Sequence, residues 1–311
     1  MPKIVTLTFS PCIDKSTSVS LLAPDIKMRC ALPVVEPGGG GINVARAIKK
    51  LGGEATAIYT YGGYTGRYFN QLMENENIAS VKFESANETR ENITLLDEST
   101  KNQYRLGMPM PALTKIEWTQ FLSAVEQIKE CDFIVASGSI PLGIPLNIYG
   151  KIAEVAHKKK AKFIVDTTGE ALQHAIEAGV YLIKPNLGEL SALVGKKELL
   201  PNEIVDVARA VVTKNKCEVV VVSMGPDGAM LVTSGFAQHI KPPEVKRKST
   251  VGAGDSMVAG IVCYLAMGNN LRASVQYGVA CGTAATMNSG TQLCKKEDAD
   301  MLMTQLELTE L

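Results

Sequence analysis

From Cys131 onward the chain alternates short apolar runs with segments of helical spacing, and that rhythm leaves few folds open. Asp132–Ala136 reads as a buried strand, and residues 145–160 look helical, with Pro145 in the first turn. Phe163–Asp166 is the next strand, followed by a helix across 168–178 and a strand at Tyr181–Lys184. Short helical segments around 187–194 and 203–214 precede Val219–Ser223, which is apolar and β-branched at odd and even positions alike. A strand apolar on both parities has to be covered on both faces. The repeated β-α-β order therefore predicts an α/β fold, a largely parallel sheet sandwiched by helices. Two long helices, about 254–268 and 271–288, are expected to close it.

The first hundred residues behave differently. Met1–Thr8 reads at once as a buried strand, with no basic region and long apolar run of a signal peptide. Residues 43–51 and 65–76 look helical, and Ala55–Tyr59 looks like a core strand. Segments 16–36 and 89–107 are more polar, and Asn92–Leu96 and Gln103–Leu106 read as strands joined by a polar turn. Such excursions suit a small β-lid (about 12–36 and 89–107) on one domain covering 1–311. Lys+Arg and Asp+Glu are both 32, so nothing favours nucleic acid, and any anion site must be local. With no apolar run of about 18 residues, no membrane span is expected. The seven cysteines are scattered without a C-x-x-C pair, as reduced thiols of a cytoplasmic protein would be.

Three polar clusters interrupt this pattern. Ser249-Thr250-Val251-Gly252-Ala253-Gly254-Asp255-Ser256 runs straight into an apolar helix. Two glycines one residue apart bare backbone N–H groups where a helix begins, which makes an anion site. Asp255 beside it either supports the first helical turn or takes a proton from a hydroxyl that attacks a bound phosphate. Gly38–Gly41 opens the helix that contains Asn43; a flexible turn is possible, but four glycines favour a ligand lying against the backbone. Neither cluster is a G-x-G-x-x-G or P-loop fingerprint. Lys184-Pro185-Asn186-Leu187-Gly188-Glu189 ends a strand, with Asn186 and Glu189 one turn apart. They suit a metal-bound polyphosphate or a reciprocal helix cap. Ser223–Gly228 again puts small residues at a strand's carboxyl end, and Lys27, Arg29, Arg90 and Arg105 place four cations in the lid segments.

The two glycine clusters, in this order, together with Thr6–Asp14 and the Lys184-Pro185-Asn186-x-x-Glu189 element, resemble the hallmark motifs of the PfkB (ribokinase-like) carbohydrate kinase family over essentially the whole chain. Within it the chain is most similar to the bacterial 6-phosphofructokinase branch, through Lys27-x-Arg29-Cys30, Glu36–Ile48, Gln103-Tyr104-Arg105 and Gly169–Leu172. Relatives that phosphorylate fructose 1-phosphate or tagatose 6-phosphate usually carry lysine at the third glycine, here Gly40. The resemblance implies a three-layer ribokinase-like sandwich dimerised through β-sheet lids. It also implies transfer of phosphate from Mg²⁺-ATP to the C1 hydroxyl of fructose 6-phosphate. Tagatose-6-phosphate or fructose-1-phosphate kinase is the alternative, and a non-catalytic nucleotide- or sugar-sensing protein is the reading from another class.

Carried over residue by residue, Asp255 is the base, and the amides of Gly252, Ala253 and Gly254 hold the transferring phosphoryl. Asp14, Gly38, Gly39, Asn43 and Ser139 are expected around the sugar. Arg90 and Arg105, with Lys27 and Arg29 from a partner's lid, would bind its phosphate. Lys184, Asn186, Ser223, Gly225, Gly228 and Thr250 would line the ATP site. Glu189 would position Mg²⁺ through water, and Ser249, Val251, Ala285, Asn288 and Gly290 match the positions of a monovalent cation such as K⁺. Gly188 stands where close relatives often have lysine beside an inhibitory second ATP, which removes the ground for expecting ATP inhibition.

Overall fold

A computed structural model describes residues 3–214 and 216–311, so Met1 and Pro2 of the expected first strand lie outside the described residues. Seven parallel strands form the body of one sheet: β1 (Ile4–Thr8), β4 (Ala55–Tyr61), β5 (Ala79–Glu84), β8 (Phe133–Ser137), β9 (Lys162–Asp166), β10 (Val180–Ile183) and β11 (Cys217–Ser223). Three antiparallel strands extend it: β12 (Ala229–Val232), β13 (Ala237–Lys241) and β14 (Glu307–Glu310). The order is β14-β13-β12-β11-β10-β9-β8-β1-β4-β5.

Strand parity sets the layers. Val220 and Val222 of β11 pack on one face, with α3 (Lys115–Gln127), α4 (Ile148–Lys159), α5 (Gly169–Ala178), α6 (Leu187–Leu193) and α7 (Ile204–Lys214). Val219 and Val221 pack on the other, with α1 (Gly40–Lys50), α8 (Ala253–Ala266), α9 (Leu271–Thr286) and α10 (Lys296–Met303). A smaller cluster joins Ile42 and Ala45 of α1 to Phe69 and Met73 of α2 (Gly63–Asn75). The sandwich around a largely parallel sheet is the one the alternation demands.

The polar excursions form a second sheet of four strands, in the order β3-β2-β6-β7. They are β2 (Cys12–Val19), β3 (Val34–Gly38), β6 (Arg90–Asp97) and β7 (Gln103–Leu106). β2 and β6 run parallel, and the other pairs are antiparallel.

Two expectations need correction. Pro145 is outside α4, where its carbonyl accepts the Ile148 N–H at 2.9 Å, and Asn147 is the cap. The long helices α8 and α9 do not end the fold, since α10 packs on α9 and β14 then pairs with β13.

Candidate active site

The carboxyl ends of β8, β9, β10 and β11 gather at the start of α8, through Ser137, Asp166, Lys184 and Ser223, as expected for ligand sites of open α/β sheets. Gly252 caps α8 in the left-handed conformation (φ 76°), and no side chain caps the helix. The left-handed backbone favours glycine, and a Cβ there would also press on the Leu293 methyl 2.8 Å away. The first-turn amides are thus left to a ligand. Lys184 reaches the same point: a Cβ on Gly254 would sit 3.2 Å from its Nζ. An ammonium at the positive end of a helix is unfavourable unless an anion joins them. Asp166, 3.2 Å from Nζ, supplies a partial counter-charge. Burial opposes the Lys184 charge, yet Asp166, Asp255 and Glu189 together raise its proton affinity above the ordinary value.

Asp255 lies in the first turn of α8. Asn43 Nδ2 donates to its Oδ2 at 2.9 Å and Ser137 Oγ to its Oδ1 at 3.3 Å. Burial, then the nearby Asp166 charge, push its pKa up to about 6 against the opposing hydrogen bonds and Lys184. A carboxylate so placed is ionised at neutral pH yet basic enough to accept a hydroxyl proton.

Asp14 in β2 forms the next wall. It is buried, accepts from Asn92 Nδ2 at 3.1 Å and from the Cys12 thiol at 3.3 Å, and burial raises its pKa. The glycine run that opens α1 is packed under it. A Cβ on Gly38 would lie 2.0 Å from Asp14 Oδ2; on Gly40, 2.3 Å from Ser137 Oγ; on Gly41, 2.3 Å from Leu7 O. Gly40 therefore lies hard against the end of β8, with no room for a Cβ as the helix start stands. Gly39 has φ 110° and begins α1 without a side-chain cap.

Arg90, in register with Cys12, donates to Ser10 O and Met108 O only at 3.3 and 3.4 Å. Its buried Nε has no partner among the described residues, which leaves donor capacity for an anion. Arg105 of β7 donates to Thr250 Oγ1 at 2.5 Å, and Gln103 to Ser249 Oγ at 3.3 Å, so the small sheet touches the α8 loop directly. Lys27 and Arg29 are exposed in the stretch between β2 and β3 and join none of the hydrogen bonds around Asp255 among the described residues.

Beside Gly254 opens a cavity of about 830 Å³, lined by Asn186, Ser223, Gly225, Gly228 and Thr250 among others. Asn186 and Glu189 cap α6 reciprocally, at 2.9 and 2.8 Å, so the cap reading describes the structure. The cap engages Glu189 Oε2, not Oε1. Of the expected cation positions, Ser249, Val251 and Gly290 are linked to one another, and Ala285 and Asn288 to each other. Ser249 Oγ donates to Gly290 O at 2.6 Å, Val251 N donates to Ser249 Oγ, and Asn288 N donates to Ala285 O. Among the described residues, no group of three or more His, Cys, Asp or Glu is placed to hold a metal.

Sequence reasoning passes over Ser137, Asp166 and Asn92. Ser137 touches Asp255, whereas the expected Ser139 is exposed two residues further on. The signal available for Ser137 and Asp166 is a polar residue closing an apolar strand at its carboxyl end.

The profile for pfkB family carbohydrate kinases matches residues 7–298. The chain is 43% identical to the ATP-dependent 6-phosphofructokinase isozyme 2 of Escherichia coli, over 98% of this chain and 99% of that one. It is 31% identical to a 1-phosphofructokinase of Bacillus subtilis, over 99% of this chain and 100% of that one. The crystal structure of Escherichia coli phosphofructokinase-2 in complex with potassium superposes with TM-score 0.93 at 42% identity, covering 98% of this chain and 99% of that chain. The bare glycine loop, its lysine and its basic aspartate thus stand on a ribokinase-like scaffold, and the chain belongs to the pfkB family of carbohydrate kinases.

Proposed function

We propose that this kinase transfers the γ-phosphoryl group of ATP to the C1 hydroxyl of fructose 6-phosphate, giving fructose 1,6-bisphosphate. One observation carries the chemistry: a carboxylate held at about pKa 6, next in the chain to a glycine that packs against a buried lysine. Asp255 takes the C1 proton as the hydroxyl oxygen bonds to the γ-phosphorus, and the bond to the β-phosphate oxygen breaks with its electrons leaving on ADP. The amides of Gly252, Ala253 and Gly254, with Lys184, stabilise the charge on the transferring group. Asn43 and Ser137 hold the carboxylate in place and leave its charge to act on the sugar.

Asp14, Gly38, Gly39 and Ser139 would border the sugar, while Arg90, with its unspent donors, anchors the 6-phosphate alongside Arg105. The 43% identity to a 6-phosphofructokinase, against 31% to a 1-phosphofructokinase, favours fructose 6-phosphate as acceptor. The cavity beside Gly254 is roomy enough for a nucleotide. Mg²⁺ bound with ATP would neutralise phosphate charge; Glu189, whose cap leaves Oε1 unused, fits the water-mediated role. The carbonyl and hydroxyl oxygens around Ser249, Val251, Ala285, Asn288 and Gly290 fit a monovalent cation better than a transition metal.

The small sheet acts as a lid and a dimer surface in a single kinase domain. Leu32, just before β3, is 94% exposed and Val34 of β3 49%, while Tyr104 and Leu106 of β7, the other edge strand, are 39% and 48% exposed. That apolar exposure suits a second copy, which would also bring Lys27 and Arg29 to the neighbouring site. No helix among the described residues is long and apolar enough to cross a membrane. The test is ADP release with Mg²⁺-ATP and fructose 6-phosphate, tagatose 6-phosphate or fructose 1-phosphate, compared by kcat/KM. Fructose 6-phosphate should lead clearly; preference for another sugar rejects the acceptor, and no turnover rejects the kinase reading.

A further inference from the structure

Arg46 is the largest fully buried side chain among the described residues, at 2% exposure in the middle of α1. Its Nε donates to Glu76 at 2.7 Å, Nη1 to Pro37 O at 2.9 Å and Nη2 to Glu36 Oε1 at 2.8 Å. It therefore clamps the β3 end that carries Gly38 and Gly39. Two carboxylates face one guanidinium, and the second oxygen of Glu36 needs a donor of its own. Thr291 provides it: its hydroxyl donates to Glu36 Oε2 at 2.6 Å across 255 residues of sequence, from a site 3% exposed.

The turn around Thr291 belongs to the phosphoryl side. Gly290 O accepts from Ser249 Oγ at 2.6 Å, and Leu293 packs on Gly252 at the α8 cap. The chain of contacts thus runs from Asp14 and Gly38 through Glu36 to Thr291, Gly290 and the Gly252 loop. The Thr291 hydroxyl donates to Glu36, not to Asp255.

The geometry points to Thr291 as a positioning residue, which through Glu36 sets the phosphoryl-holding loop against the sugar-holding strand. This rests on the kinase reading above. Misplacement of either loop by a fraction of an ångström lowers turnover more than it weakens substrate binding.

The test compares Thr291→Val, nearly isosteric but without the hydroxyl, with Thr291→Ser, which restores it. Thr291→Val should lower kcat roughly ten-fold, the scale of a lost hydrogen bond to a charged group, with KM for ATP within about two-fold. Thr291→Ser should recover most of that loss. In a cycle with Glu36→Gln, the double variant should be about as slow as the slower single variant. Thr291→Ala serves the same comparison if the valine does not fold. Unchanged kcat with only a lower Tm overturns the proposal, as does a serine variant no better than the valine or strict additivity in the cycle. Hydrogen exchange at the 249–254 amides reads the coupling without substrate. It should quicken in Thr291→Val and not in Thr291→Ser, and equal exchange in both rejects the coupling even if the parent phosphorylates no sugar phosphate offered.

Discussion

Replacing Asp255 by asparagine separates what this carboxylate does for catalysis from what its charge costs the fold. Its pKa stands at about 6 against an ordinary 3.8. A gap of roughly two units, at about 1.4 kcal/mol each, makes the ionised form cost the native state about 3 kcal/mol. Because the native value lies above the unfolded one, the folded chain binds this proton more tightly. The associated stability is fully present below about pH 4 and is lost as pH rises through about 6. Asparagine keeps an oxygen for the Asn43 amide and discards the charge.

Asp255→Asn should therefore be more stable than the parent at pH 7 to 8, by up to about 3 kcal/mol in urea unfolding, with the difference shrinking toward zero near pH 4. Turnover should fall at least ~100-fold, the low end for a general base, while ATP binding stays nearly intact. In the parent, kcat/KM should decline below about pH 6 with a slope of one, since that ratio reports the free enzyme. Near-normal turnover in the variant sinks the base. A variant less stable than the parent at pH 8, or a difference that widens on acidification, refutes the burial argument.

Arg90→Ala should raise KM for the sugar phosphate far more than KM for ATP; equal effects on both would remove Arg90 as the phosphate anchor. Gly40→Ala puts a Cβ 2.3 Å from Ser137 Oγ, so urea unfolding should show a loss of about 1–3 kcal/mol. Its sugar preference should be unchanged, and a switched preference would restore Gly40 as a substrate determinant. Glu189→Gln can still accept the Asn186 N–H, so stability should stay within about 1 kcal/mol. The Mg²⁺ concentration giving half-maximal rate should rise, and an unmoved Mg²⁺ profile would leave Glu189 with the cap alone.

The central sheet was legible because burial on two faces writes itself into every residue of a strand. Val219 to Val222 split cleanly between the two cores. Where a strand is at an edge that signature disappears: Glu307–Glu310 is exposed throughout and β5 nearly so, and neither has an apolar period to read. The α10 helix is only 8 residues long, too short for helical spacing to stand out. Asp255 and its glycines were legible for the opposite reason, since a helix start with bare amides is a local arrangement of consecutive residues. Ser137 acts on Asp255 across 118 residues, and its meaning depends on β8 lying next to β1 in the sheet. No spacing rule contains that adjacency.

The glycine run at 38–41 shows why one pattern can carry two messages. In sequence the four residues are identical, and a ligand lying against bare backbone accounts for all of them. In the fold, Gly38 lies under Asp14 Oδ2, and Gly39 needs its positive φ to turn into α1. Gly40 and Gly41 instead lack room for a side chain because α1 begins hard against the ends of β8 and β1. A lysine at position 40 would require that helix start to move away from Ser137. Ser137 also donates to Asp255. The third glycine is thus coupled to the proposed base through its packing, so a change there would disturb Asp255 before it selected a sugar.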